Sequence, residues 1–271
     1  MSDLNKRHEH TSAVITGGAQ GVGNAIARQL IAEGCKKIML AGRDANKGEK
    51  AARELSALGA EVAFTSLDLQ DTAACLALIE AAVARFGSIN ALVNAAASAA
   101  RGGLLDTTQQ MWDEMFNTNA RGPFFLMQGF VKHRKTQGGG GSILNILTQS
   151  LYAGQSYIAP YSGSKAALAT LTKNAANAFR YDRIRCNAIL PGWMDTPGED
   201  ATQRKYHGAG DDWLENAERE QPMGQLCKPH QLAELASYIL SPNAGVMTGA
   251  LVDYDQNIVG AYPEVPLKED T

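Results

Sequence analysis

The chain has 271 residues, 45% of them hydrophobic, enough to bury the core of one large α/β domain without requiring a second. A formal net charge of -3 and a pI near 6.0 give no electrostatic footprint for nucleic acid or an anionic membrane, and neither partner is expected. No apolar run is long enough to span a bilayer, and the polar start from Met1 to His10 lacks the apolar core of a secretory signal, so a cytoplasmic protein is expected.

In chain order, the apolar run Ser12-Ala13-Val14-Ile15-Thr16 reads as a strand that passes directly into the glycine turn Gly17-Gly18-Ala19-Gln20-Gly21-Val22-Gly23. Beyond it Val22, Ile26 and Leu30 recur at four-residue intervals beside Ala25 and Ala27, the stripe of a helix packed on a sheet, and Gly34 ends that helix. A glycine loop between strand and helix is either a tight turn or a phosphate cradle. Glycine lets the backbone approach a pyrophosphate, and the positive end of the helix favours that anion. Further short apolar strands alternate with helical stretches and centre on Met39, Ala63, Val93, Asn145, Ala188 and Val252. With the strand at Val14 they predict a three-layer, doubly wound α/β fold on a parallel sheet of about seven strands. Thr16, Arg43, Asp68, Asn94, Thr148 and Pro191 all fall at predicted carboxyl ends, where such sheets hold their sites. Gly138 to Gly141, before the fifth strand, reads as a flexible surface turn. Cys35, Cys75, Cys186 and Cys227 are far apart, which favours reduced, packed thiols over disulfides or a metal site, and the five histidines, including His8 and His10 in the N-terminal tail, show no ligand spacing.

Tyr161 and Lys165 lie four residues apart in Pro160-Tyr161-Ser162-Gly163-Ser164-Lys165, which stacks both side chains on one helix face. A phenol with a pKa of about 10 accepts a proton near neutral pH only if its anion is stabilised. Lowering that pKa by about three units takes roughly 4 kcal/mol, which a neighbouring ammonium in a partly dry cleft supplies. The same Tyr-x-x-x-Lys spacing also arises by chance on surface helices, so the neighbouring motifs decide its meaning.

Gly17, Gly21 and Gly23 are spaced Gly-x-x-x-Gly-x-Gly, unlike the more widespread Gly-x-Gly-x-x-Gly dinucleotide fingerprint. With Tyr161 and Lys165 about 140 residues downstream, the chain resembles the short-chain dehydrogenase/reductase family over roughly residues 10 to 257. The resemblance implies a Rossmann-like fold and a nicotinamide-dependent oxidoreductase that interconverts an alcohol and a carbonyl. It implies a cofactor loop of Gly17, Gly18, Gln20, Gly21, Val22 and Gly23, with Asp68-Leu69 at the adenine. Asn94, Ala95 and Ala96 stand in the place of the family's Asn-Asn-Ala-Gly, while Pro191, Gly192, Met194 and Thr196 match the segment at the nicotinamide end. Ala95-Ala96-Ala97 lacks the second asparagine and the glycine of that motif, which alters loop packing without removing a chemical group. The resemblance further implies Tyr161 as the proton acceptor and donor, and Lys165 as the group that depresses its pKa and bonds the nicotinamide ribose. Asn119 matches the asparagine whose main chain holds a proton-relay water. The family's serine thirteen residues before the tyrosine is here Thr148, which carries the same hydroxyl inventory, with Ser150 as a substitute.

The second strand ends in Gly42-Arg43-Asp44. Gly42 stands where an acidic residue would grip the adenosine 2′-hydroxyl, and the Arg43 guanidinium suits a 2′-phosphate, so NADP is favoured over NAD. Gln20, at a loop position often basic in phosphate-preferring relatives, and the negative charge of Asp44 argue the other way. In a single domain, residues 1–271, the resemblance implies that the irregular segment at about 193–228 folds over the substrate as a lid, with a tail following at about 258–271. Trp193, Asp195, Glu199, Gln203, His207, Asp211, Asp212, Trp213 and Glu215 make that lid more polar than a steroid or long acyl chain needs. They suit a sugar or polyol, although the same acids also serve to solvate exposed helices. Tyr254-Asp255-Gln256-Asn257 replaces the family's common Asp-Gly-Gly before the tail, which in homotetrameric relatives packs across an interface, so a homo-oligomer is expected. A reductase of 3-oxoacyl thioesters or other carbonyls would use the same core, but this acidic chain is a poor dock for an acidic carrier. A non-catalytic cofactor-binding regulator usually lacks the tyrosine or lysine, and both are present.

Overall fold

Every residue of the first strand, β1 (Ser12–Thr16), is buried, and a strand apolar on both faces must be covered on both. The computed structural model, which describes residues 6–261, provides that cover. From β1 the chain runs through α1 (Gly21–Ala32), β2 (Lys37–Gly42), α2 (Ala45–Ser56) and β3 (Glu61–Ser66) to one edge of a sheet. Helix α3 (Thr72–Phe86) returns it to β4 (Ala91–Asn94) on the other side of β1. There follow α4 (Gln109–Phe116), α5 (Gly122–Gln137), β5 (Gly141–Ile146), α6 (Ser150–Ala153), α7 (Ala159–Phe179) and β6 (Ile184–Pro191). The last elements are α8 (Pro197–His207), α9 (Trp213–Arg219), α10 (Pro229–Leu240) and β7 (Leu251–Tyr254).

The seven strands are all parallel in the order β3-β2-β1-β4-β5-β6-β7, and each predicted strand centre lies inside one of them. Two-residue alternation divides the core. Val14, Met39, Leu92, Ile143 and Ala188 face α3, α5 and α7, whereas Ala13, Ile15, Leu40, Val93 and Ile189 face α1, α2 and α10. The strand order reverses between β1 and β4, and such a reversal opens a crevice beyond the carboxyl ends.

Some local expectations are corrected. The N-terminal tail is packed on the domain at His8, which is fully buried, its Nδ1 2.8 Å from Thr11 Oγ1 and its Nε2 3.0 Å from Ser237 Oγ on α10. The glycines after α5 form a braced turn, because the Arg134 guanidinium donates to Gly140 O at 2.9 Å, Ser88 Oγ at 3.0 Å and Ile89 O at 3.1 Å. The predicted lid is more regular than expected. It consists of α8 and α9 and is closed onto the start of α10 by Lys228, which pairs with both Asp195 and Glu218. Residues 262–271 of the predicted tail lie outside the described residues. Among the described residues no helix is long and apolar enough to cross a membrane, and all four cysteines are free and buried.

Candidate active site

A cleft of about 1260 Å³ runs along the carboxyl ends of the strands. Its first wall is the turn between β1 and α1. Gly17 has φ 71°, and a Cβ there would stand 2.8 Å from Ala96 N; a Cβ at Gly23 would stand 2.6 Å from Gly17 O. These positions therefore exclude side chains on steric grounds. Gln20 at the start of α1 makes no side-chain cap, so the first N–H groups of the helix are left for whatever enters the cleft beside Gln20, Gly21, Val22 and Gly23. Thr16 Oγ1 accepts from Ala95 N at 3.2 Å and Ala96 N at 3.3 Å, which fastens the alanine loop to β1 and keeps it in the wall.

Arg43 and Lys47 flank the same end. Asp44 caps α2 by accepting from Lys47 N at 3.0 Å, so its charge is engaged with the helix start. A Cβ at Gly42 would meet only Phe64 Cε2, at 3.9 Å, leaving open space where an acidic side chain would otherwise reach. Asp68, Leu69, Ala95, Ala96, Pro191, Gly192, Met194 and Thr196 also line the cleft. An uncapped helix start, a long crevice, and Arg43 and Lys47 in its lining, the latter 4.0 Å from Asp44 Oδ2, fit a phosphorylated dinucleotide.

Three predicted residues do not line the cleft, among them Asn119, whose expected role is that of its main chain. A Cβ on Gly18 would strike Leu40 at 2.5 Å, so this glycine serves packing on β2. Asn94 is buried in the sheet: its Nδ2 donates to Asn145 Oδ1 at 2.8 Å, and Asn145 Nδ2 donates to Thr172 Oγ1 of α7 at 2.9 Å. Asn119 is fully buried in a π-helical turn, Asn117–Arg121, between α4 and α5. Its side chain donates to Ser98 O at 2.8 Å and Ser164 Oγ at 3.0 Å and accepts from Ser98 N at 2.8 Å, clamping the β4–α4 connection to α7.

At the other end of the cleft Tyr161, Lys165, Thr148 and Ser150 come together. The Thr148 hydroxyl donates to Ser150 Oγ at 3.1 Å, accepts from Ser150 N at 3.2 Å and hydrogen-bonds the Tyr161 phenol. Lys165 is 2% exposed, and its Nζ donates to Ile146 O at 2.8 Å while lying 6.0 Å from the centroid of the Tyr161 ring. Burial lowers the Lys165 pKa to about 8. The expected depression of the Tyr161 pKa is not found. Burial raises it, the Thr148 hydrogen bond lowers it, Glu199 raises it and Arg101 lowers it. Lys165 is not among the groups that shift it, and its ammonium donates to the β5 carbonyl.

The lid carboxylates are largely engaged with their own helices. Glu199 Oε1 accepts from Trp193 Nε1 at 2.8 Å and Gln203 Nε2 at 2.7 Å; Asp200 Oδ1 accepts from Trp213 Nε1 at 2.8 Å. Asp211 pairs with Arg204, Asp212 accepts from Asn216, and Asp195 holds Lys228. Of the predicted lid residues, Trp193, Glu199, Gln203 and His207 line the cleft. Sequence reasoning missed Arg101, Tyr157 and Lys47. Lys47 was accessible from its position one helical turn beyond Arg43, whereas nothing local marks Arg101 or Tyr157.

A family model described as enoyl-(acyl carrier protein) reductase matches residues 17–256. The NADP-dependent (R)-specific alcohol dehydrogenase of Lentilactobacillus kefiri is 30% identical over 240 residues, 88% of this chain and 92% of its own. L-Rhamnose 1-dehydrogenase (NAD(P)(+)) of Azotobacter vinelandii is 31% identical over 250 residues, 89% of this chain and 94% of its own. A variant of actinorhodin polyketide ketoreductase, solved with NADPH, superposes with a TM-score of 0.86 at 26% identity, covering 93% of this chain and 99% of that one. Fold and relatives together define an NAD(P)-dependent oxidoreductase acting on CH–OH groups. The chain belongs to the short-chain dehydrogenase/reductase family.

Proposed function

We propose that this protein interconverts the alcohol and carbonyl forms of a sugar, polyol or similar small polar substrate, with NADP as the preferred nicotinamide. The observation that carries this reading is the convergence of Tyr161, Thr148 and Lys165 in the cleft that also holds the uncapped start of α1 and Arg43. When bound, the dinucleotide supplies the hydride acceptor for oxidation or the donor for reduction. Gly17 to Gly23 and the first turn of α1 would receive its pyrophosphate, and Arg43 with Lys47 its 2′-phosphate. Asp68 and Leu69 would contact the adenine, and Pro191, Gly192, Met194 and Thr196 the nicotinamide end.

Tyr161 exchanges the proton with the substrate oxygen, and Thr148 hydrogen-bonds that oxygen as charge develops on it. Because burial holds the phenol above its ordinary pKa, Tyr161 is protonated at neutral pH and ready to donate in the reductive direction. Lys165 keeps a positive charge beneath the tyrosine at pH values below about 8. Asn119 positions the helix that carries both residues. We assign the protein to the cytoplasm as a homo-oligomer. The buried free thiols support a reducing compartment, and the exposed Leu104, Leu105, Trp112 and Phe124 around α4 and α5 support assembly.

Tyr161→Phe should abolish turnover while leaving NADP affinity largely intact. The assay is nicotinamide fluorescence with each cofactor against aldoses, polyols, oxoacyl esters and steroids. Full activity in that variant refutes the assignment.

A further inference from the structure

One of the polar groups lining the substrate half of the cleft is a cation, Arg101. Arg101 lies between β4 and α4, beside Gly102, whose N–H donates to Tyr157 O at 2.8 Å and whose carbonyl accepts from Ala159 N at 3.0 Å. Those two bonds fix this segment against the start of α7, the helix that carries Tyr161. The guanidinium is then aimed by three groups. Its Nη1 donates to Ala99 O at 3.0 Å, its Nε donates to His207 Nε2 at 3.3 Å, and it lies 5.8 Å from the Tyr157 ring centroid, while His207 packs edge-on against the same ring. Two of the five guanidinium N–H groups are thereby engaged and three remain. No carboxylate among the described residues pairs with it. Glu199, the carboxylate on the lid side, is held by Trp193 and Gln203.

Arg101, Glu199 and Tyr161 line the same cleft, and Tyr157, over whose ring the guanidinium lies, stands four positions before Tyr161. A neutral polyol would leave the guanidinium without a counter-charge in a partly desolvated cleft. A carboxylate would satisfy it with the fork geometry that arginine presents. We propose that Arg101 determines specificity by binding a carboxylate on the substrate, so that the substrate is a hydroxy acid or the corresponding oxo acid. This rests on the oxidoreductase reading above and narrows its substrate class.

The test uses matched pairs that differ in one carboxylate: cyclohexanol with 4-hydroxycyclohexanecarboxylate, and galactose with galacturonate. The full-length enzyme should favour the acid of a pair by about 10- to 100-fold in kcat/KM, chiefly through KM, the range expected for a charge-assisted bidentate contact. In Arg101→Met the acid-to-neutral ratio should collapse towards one. Arg101→Lys should keep part of the preference, and in the wild-type protein the ratio should shrink with added salt. A second arm titrates the same acids into the NADP-loaded Tyr161→Phe protein, with and without Arg101→Met, so that binding is read without chemistry. Good turnover with no preference for acids, or a preference that survives Arg101→Met, overturns the proposal and leaves the oxidoreductase reading intact. Acid binding that Arg101→Met leaves unchanged, or no acid binding at all, likewise overturns the proposal, whereas acid binding lost in Arg101→Met supports it even where none of these four compounds is turned over.

Discussion

Replacing Lys165 by methionine should change how stability depends on pH. Lys165 is buried, it has one hydrogen-bond acceptor, Ile146 O, and desolvation brings its pKa from 10.5 to about 8. The folded value lies below the unfolded one, so the unfolded chain binds more protons in the window from about 8 to 10.5 and stability rises with pH through it. Below that window the full penalty of holding a charged amine out of water is present. From those two values, wild-type protein should gain about 2 kcal/mol over Lys165→Met between pH 7 and 9.5, because the variant has no amine to titrate. Ile146 O loses its donor in the variant, at roughly 1–3 kcal/mol, but that loss is the same at every pH and cancels in the comparison. Urea unfolding of both proteins at four pH values across this range gives the quantity directly. A difference in stability that stays flat to within about 0.5 kcal/mol would refute the claim that a charged, desolvated ammonium occupies this position.

Thr148→Val should lower kcat by about 100- to 1000-fold through loss of the hydroxyl at the reacting oxygen, whereas Thr148→Ser should stay within about tenfold of wild type. Ser150→Ala serves as the comparison, and a loss there as large as in Thr148→Val would transfer the role to Ser150. Gly42→Asp has room for its side chain and should reduce kcat/KM with NADP by about 10- to 100-fold while improving use of NAD, as initial rates with each cofactor would reveal. The raised Tyr161 pKa sets the pH profile. Reduction needs the protonated phenol and should hold level through pH 9, while oxidation needs the phenolate and should climb steadily from pH 7; an oxidation rate already at its plateau at pH 7 would contradict it.

The sheet was legible because its strands are buried on both faces and therefore appear as unbroken apolar runs such as Ala13-Val14-Ile15, each followed by a break. The glycine turn was legible for a related reason: close backbone approach at Gly17 and Gly23 leaves no room for a Cβ, whatever the rest of the sequence does. Tyr161 and Lys165 were found because helical spacing is local. What escaped depends on contacts distant in sequence. Whether Asn94 faces the cleft or the sheet is decided by Asn145, 51 positions away. The fate of Glu199 is settled by indole and amide donors that only the fold of the lid brings into range. Arg101 meets His207 across a separation of 106 residues. The direction of the phenol's pKa escapes for the same reason, since the sequence specifies the spacing of Lys165 from Tyr161 and not the burial of the phenol.

The buried polar groups behind the cleft explain why such a costly lysine is tolerated. Asn94, Asn145 and Thr172 form a hydrogen-bonded line from β4 through β5 to α7, ending where Thr172 Oγ1 donates to Leu168 O at 2.8 Å. About two turns earlier on the same helix Asn119 holds Ser164. Lys165 sits between these two attachments and adds a third, to Ile146 O. Apolar packing alone would let α7 slide or rotate by a fraction of a turn at little cost, whereas each of these bonds is lost by a small displacement. Two attachments in one turn, at Ser164 and Lys165, and a third about two turns on, at Thr172, fix both rotation and height of α7 over the sheet. That positional constraint is what keeps the Tyr161 hydroxyl in hydrogen-bonding contact with Thr148, which belongs to a different element. The depressed lysine pKa is the energetic trace of that arrangement, stability given up at neutral pH to hold the proton donor in place.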